Sequence, residues 1–189
     1  ILGTCPYSSP TDMGVNMVGY CISDDEICRV AAKNEIVRRY FHCAEKIERT
    51  GVGTSQLDKA RLLMKEVGVD ENFSPAHSAA LQKATETGAP AGAMVLPDGT
   101  VVTGKTSSLL GAASSLLLNA LKRVAGVDKD TYVVSNEALA PIGRLKTEHL
   151  HSHNPRLHSD ETLIALSISS ATNTEAKRVI EATSKLYGC

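Results

Sequence analysis

The sequence predicts an α/β fold, a small mixed β-sheet (hairpin plus parallel strand) packed with helices and preceded by a helical region. Three observations predict it. Apolar residues recur at helical spacing through most of the first half of the chain. The period then shortens to that of strands on either side of Asp98-Gly99, the dipeptide most typical of a tight hairpin turn. An apolar run over residues 109–121 follows; Ser114, Ser115 and Asn119 break it, and it is too short to cross a bilayer, so it reads as a buried helix. The expected organisation is a loop plus helical region over residues 1–88 and an α/β core over 89–189.

Each element has a local cause. Residues 1–23 are turn-rich, punctuated by Pro10 and Gly14, with Asp12 and Asn16 able to form local turns. Ser23, Asp24, Asp25 and Glu26 suit a helix start. Ile27, Val30, Ala31, Ile36, Val37, Tyr40, Phe41 and Ala44 then keep helical spacing up to Gly51. A second helix covers residues 57–67 before Gly68, and a third 75–87 before Gly88. Residues 91–96 and 100–103 form the hairpin. Residues 104–107 lead into the buried helix, which runs to about Ala125. Residues 132–135 read as a short buried strand, parallel to the hairpin strand it follows across the helix. Helices at 137–150, 160–171 and 174–186 complete the chain.

Composition narrows the function classes. The chain has 189 residues, with 20 Lys and Arg against 21 Asp and Glu and a formal net charge of −1. No block of like charge stands out, so neither nucleic acid nor a membrane surface is an expected partner. Aromatic residues are 4% and Trp is absent, so the core must be aliphatic. Five cysteines (Cys5, Cys21, Cys28, Cys43 and Cys189) are odd in number and lack C-x-x-C spacing. They read as reduced thiols, and with no visible signal peptide the expected location is cytoplasmic. The chain begins at Ile1 and stops at Gly188-Cys189 with no element completed, so it is expected to be a piece of a longer protein.

Residues 99–106 match the phosphate-loop pattern G-x-x-x-x-G-K-[ST] letter for letter. Between the glycines stand Thr100, Val101, Val102 and Thr103, whose β-branched side chains favour a pleated strand over a curled loop. The motif is therefore read as a hairpin strand. Lys105, Thr106 and Ser107 still place an ammonium and hydroxyls beside an expected helix start, which is an arrangement for anion binding. The alternative for Thr106 or Ser107 is plain helix capping.

The second candidate region is 148–161. It holds His149, His151, His153 and His158 together with Arg156, Asp160 and Glu161. Imidazoles and carboxylates at this density can bind zinc or another borderline metal, or act as acid and base near neutral pH. The spacing matches no metal signature, so no metal is assigned. Asn154-Pro155 imposes a turn, and Ser159 is placed to cap the next helix. No nucleophile elbow and no catalytic carboxylate pair emerges from residue order.

Several strings resemble one family: Ser9-Pro-Thr-Asp-Met-Gly-Val-Asn16, Asp24-Asp-Glu26, Glu35-Ile36 with Arg38-Arg-Tyr40, Leu96-Pro-Asp-Gly99, Thr103-Gly-Lys-Thr-Ser-Ser-Leu109, Asn154-Pro-Arg-Leu-His158 with Asp160-Glu161, and Leu163-Ile-Ala-Leu-Ser-Ile168 with Ala171-Thr-Asn173. Together they resemble the bacterial domain-of-unknown-function family 1846, of which this chain looks like the C-terminal portion only. The resemblance implies a longer protein, whose front half carries its own phosphate-loop-like segment of the kind P-G-P-N-S-G-K and which continues past the position of Cys189. It transfers no functional residue. Some members carry an ATP-dependent peptidase label, but no peptidase motif stands here. In fold alone, the hairpin, long helix, strand and helix are similar to the cytidine-deaminase-like architecture, without its zinc ligands.

The functional expectation is the C-terminal part of a cytosolic enzyme handling a phosphorylated or nucleotide metabolite. Lys105, Thr106, Ser107 and Arg156 would bind the anion, with Asp12 and Asn16 closing over it. His153, His158 and Asp160 would carry acid–base chemistry. No cofactor is assigned, and a homo-oligomer is expected. The alternative is a non-catalytic interaction or oligomerisation module of a larger protein.

Overall fold

The computed structural model describes residues 25–187. Asp12 and Asn16 lie outside them, as do Cys5, Cys21 and Cys189. The chain divides into two compact units, Ile1–Ser74 and Pro75–Cys189, so the boundary expected at 88/89 falls within the second unit.

In the first unit, α1 (Asp25–Thr50) packs on α2 (Thr54–Glu66), and Glu71–Phe73 makes one 3-10 turn. Gly51 ends α1 with a left-handed φ of 70°, where a side chain would be strained. Ile36, Val37 and Met64 are buried together, with Tyr40, Phe41, Leu63 and Phe73 packed around them. Ile27 and Val30, at the start of the expected apolar stripe, are exposed. Cys28 and Cys43 of α1 are free thiols.

The second unit opens with α3 (Pro75–Thr87), then the hairpin of β1 (Ala91–Val95) and β2 (Val101–Lys105). The strands are antiparallel, with Ala91 opposite Lys105 and Val95 opposite Val101. At the turn, Leu96 N donates to Thr100 O (2.8 Å), Gly99 N to Leu96 O (2.9 Å) and Thr100 N to Asp98 Oδ1 (2.9 Å). Gly99 takes a left-handed φ of 80°, as the residue after a type I hairpin turn does. The Gly-Lys pattern is therefore a β-ribbon. Its second glycine, Gly104, has a packing role: a Cβ there would lie 2.1 Å from the backbone nitrogen of Leu116 on α4 (Ala112–Ala125).

α4 is central. Leu121 is fully buried among Val127, Val133, Leu166, Ala176 and Val179. The helix stops at Gly126 (φ 67°), with Gly126 N donating to Arg123 O and Val127 N to Lys122 O. Arg178 and Lys185 donate to Ala125 O and Val124 O, placing cations at the negative end of the helix. The remaining elements are α5 (Asn136–Arg144), a π turn (Leu145–His149), α6 (Ser159–Ser169), α7 (Thr174–Glu181) and a 3-10 turn (Ala182–Leu186).

The fold class is as expected: helices around a small sheet, after a helical region. One strand departs. Among the described residues the sheet has two strands, and residues 132–135 pair with neither. Their backbone is held by side chains instead. Ser135 N donates to Ser169 Oγ (3.1 Å), and Asn173 Nδ2 donates to Tyr132 O (3.2 Å). Val133 is buried while Tyr132 is 90% exposed. The parallel strand expected after the long helix, on which the deaminase-like comparison leaned, is therefore absent from the sheet among the described residues. Among the described residues, parallel pairing occurs as one bridge between Leu110 and Leu157.

Candidate functional site

β2 carries the chain to an exposed Lys105, and Thr106 N closes the ladder on Pro90 O (2.8 Å). The chain then turns on Ser107, whose Oγ accepts from Leu109 N (3.3 Å) and Leu110 N (3.0 Å). Such a hydroxyl turn satisfies local N–H groups without starting a helix. α4 begins only at Ala112, with Gly111 as its N-cap. Thus Lys105, Thr106 and Ser107 do not stand at the start of the buried helix, and neither Thr106 nor Ser107 caps it. The electropositive helix start is met from within the protein: Leu157 O accepts from Gly111 N (3.3 Å) and Ser114 Oγ (2.8 Å).

Leu157 reaches that position through the second candidate region. After α5 the chain makes the π turn, with Leu150 N donating to Leu145 O (3.0 Å). His151 adopts a left-handed φ of 53°. Asn154 Oδ1 then accepts from Arg156 N (3.1 Å), completing the turn expected at Asn154-Pro155. Arg156 Nε donates to Ser107 O (2.8 Å), and Leu157 N donates to Leu109 O (2.8 Å). The two candidate regions, far apart in sequence, are therefore tied side by side.

A buried lysine pins the arrangement. Lys146 Nζ donates to Arg156 O (2.5 Å) and to Glu161 Oε2 (2.7 Å), and the same carboxylate oxygen accepts from His158 N (2.7 Å). His158, and not Ser159, is the N-cap of α6. Burial would raise the Glu161 carboxyl; the Lys146 ammonium and the His158 N–H outweigh it and hold it below the usual range.

Beside this tie lies a groove of about 330 Å³. Ser108, Asn136, Arg144, Thr147, Pro155 and Leu157 are among its lining residues. Thr147 Oγ1 is engaged with Gly143 O (3.0 Å). Ser108, Asn136 and Arg144 have no side-chain hydrogen bond or ion pair among the described residues, leaving hydroxyl, amide and guanidinium donors available. Of the residues expected from sequence, Ser107 and Arg156 are joined directly and adjoin this wall. Lys105 and Thr106 do not line the groove. His153, His158 and Asp160 are exposed and share no side-chain hydrogen bond with one another among the described residues. Among those residues no group of three or more His, Cys, Asp or Glu is placed to hold a metal ion.

Sequence reading missed Asn136, Arg144 and Thr147. A signal existed: Asn136, Ala140, Gly143 and Thr147 recur at helical spacing as a small or polar stripe. Lys146 had none, because its partners lie 10 and 15 residues away.

Both parts of the chain match models of one family. Residues 1–68 match the domain of unknown function DUF1846, N-terminal, and residues 72–189 its C-terminal counterpart. The expectation of a C-terminal portion only is thereby corrected, since the first 68 residues match the N-terminal model. The chain is similar over its whole length to a UPF0371 protein of Corynebacterium aurimucosum (51% identity over 189 residues). It is 49% identical over 187 residues to one of Corynebacterium efficiens, covering 99% of the chain. It is 47% identical over 188 residues to one of Streptococcus thermophilus, again along its whole length. It spans 38% of the length of each of these relatives. Among the described residues no helix is long and apolar enough to cross a membrane.

Proposed function

The chain belongs to the DUF1846 family, and from that premise we propose that its second unit binds a small phosphorylated metabolite, as part of a cytosolic enzyme. The anion occupies the groove beside α5. The Arg144 guanidinium supplies a fixed charge with paired donors, a geometry suited to phosphate oxygens. Asn136, on the same helix as Arg144, and Ser108 add neutral donors to the lining. Arg156 keeps N–H groups beyond its bond to Ser107 and can extend the positive edge. His153, His158 and Asp160 flank the same segment and supply imidazole and carboxylate groups for acid–base chemistry.

The observation that carries this reading is the cluster of three donor side chains without partners in one groove. A thermal-shift series with inorganic phosphate, pyrophosphate, and nucleoside and sugar phosphates tests it. Dose-dependent stabilisation by at least one phosphate is expected. No stabilisation by any of them removes the reading.

One observation favours a second reading, an interaction or homo-oligomerisation module. Ile164 and Ile168, one turn apart on α6, are 55% and 54% exposed. Sedimentation of the wild type and of Ile164→Asp distinguishes the two. A dimer that the substitution dissociates, with no phosphate response, supports the module.

A further inference from the structure

A second, smaller cavity of about 190 Å³ lies in the same unit. Its walls are mostly aliphatic, including Leu110, Leu118, Val133 and Val134. Two polar residues among its lining are unusual. Lys122 is only 7% exposed, and Thr162 only 1%. Lys122 Nζ donates to Lys129 O (2.5 Å), which engages one of its three N–H groups. No carboxylate forms an ion pair with it among the described residues, and a buried cation without a contact counter-ion is costly. Burial pushes the Lys122 amine down from its usual range, and Asp130 and Asp128 offset only part of this. Thr162 Oγ1 is buried with no hydrogen-bond partner among the described residues.

We propose that this cavity is a binding site for a short aliphatic carboxylate, with its carboxylate on Lys122 and Thr162 and its hydrocarbon body against the leucine and valine walls. Each feature of that ligand answers a feature of the site. The negative charge provides the contact ion pair that Lys122 lacks among the described residues, where Asp130 and Asp128 act on it only through space. A carboxylate oxygen accepts from the Thr162 hydroxyl, which otherwise stays unsatisfied. The aliphatic body removes apolar surface from water on both sides. A neutral amide would satisfy Thr162 and leave the cation unpaired, and an amine would add a second positive charge. The proposal does not rest on the phosphate reading of the groove, although Leu109 and Leu139 line both spaces.

The test uses the intact protein and three probes of one shape: 4-methylpentanoate, 4-methylpentanamide and 4-methylpentylamine. Calorimetry and thermal shift are expected to show saturable binding of the acid, and binding at least tenfold weaker for the amide and the amine. Lys122→Met is expected to weaken the acid at least tenfold and Thr162→Val at least threefold. Leu118→Trp, which fills the cavity, is expected to abolish binding. If Lys122→Met does not fold, the near-isosteric Thr162→Val decides. Absence of acid binding overturns the proposal, as does amide binding of equal strength or an unchanged affinity in Thr162→Val.

Discussion

Gly104 and Leu116 meet backbone to backbone. A Cβ on Gly104 would stand 2.1 Å from Leu116 N and 2.4 Å from Leu116 Cα, and Gly92, its partner across the hairpin, faces the same leucine. The glycine of the phosphate-loop look-alike is thus the seat of a helix on a ribbon. Gly104→Ala is expected to cost about 3 kcal/mol, because backbone cannot yield as a flexible side chain can. Gly99→Ala meets open space and strains only φ, at about 1 kcal/mol. Urea denaturation of both variants checks the order; equal costs would contradict the close approach.

Lys146 and Glu161 predict an acid response. Glu161 titrates lower in the folded state than unfolded, so its contribution is complete above the unfolded value of about 4.3. It is lost as pH falls from there through the lower folded value. Glu161→Ala removes the acceptor of both Lys146 and His158 N, with an expected cost of about 3 kcal/mol at pH 7. The loss should shrink in acid. Denaturation midpoints of wild type and variant between pH 3 and pH 7, chosen to bracket about 4.3, measure it.

Ser114 binds Leu157 O from within the core. Ser114→Ala is expected to cost about 1 to 2 kcal/mol, leaving that carbonyl with only the longer bond from Gly111 N. Amide hydrogen exchange at Leu157 should rise along with the loss of stability. Stability lost with no change at Leu157 would place the effect elsewhere.

Arg144→Ala should abolish any phosphate-induced rise in melting temperature while leaving the melting temperature without ligand within about 2 °C, since an exposed guanidinium with no partner contributes little to folding. Lys105→Ala should retain most of the response, because Lys105 lies outside the groove lining. The reverse pattern would move the anion to the hairpin end.

Asn173 caps α7 through Glu175 N (2.9 Å) and Ala176 N (3.1 Å), and it holds Tyr132 O. Asn173→Ala should cost about 1 to 2 kcal/mol. Asn173→Asp should restore the cap but not the bond to Tyr132 O, which needs a donor. Comparing the two by denaturation separates cap from tether.

Elements fixed by neighbours in sequence were legible. Gly51, Gly88 and Gly126 end their helices, and Asp98-Gly99 folds the hairpin around a β-branched strand. What was misread depended on distant partners. Val133 and Val134 look like a strand, yet this stretch is held by Ser169 and Asn173 rather than by a neighbouring strand. Ser107 looks like a cap until Leu157, arriving from far along the chain, takes the helix start. The candidate site was half legible for the same reason. Its hydroxyl loop and histidine segment stood out by composition, whereas Arg144 and Lys146 matter through what comes to rest beside them.

The tie between Arg156 and Ser107 joins residues 49 positions apart. Closing so wide a span is slow compared with winding a helix. A ribosome that has released residues 112–125 has made a helix whose leading end still awaits Leu157, and a polypeptide truncated before that leucine would leave it open.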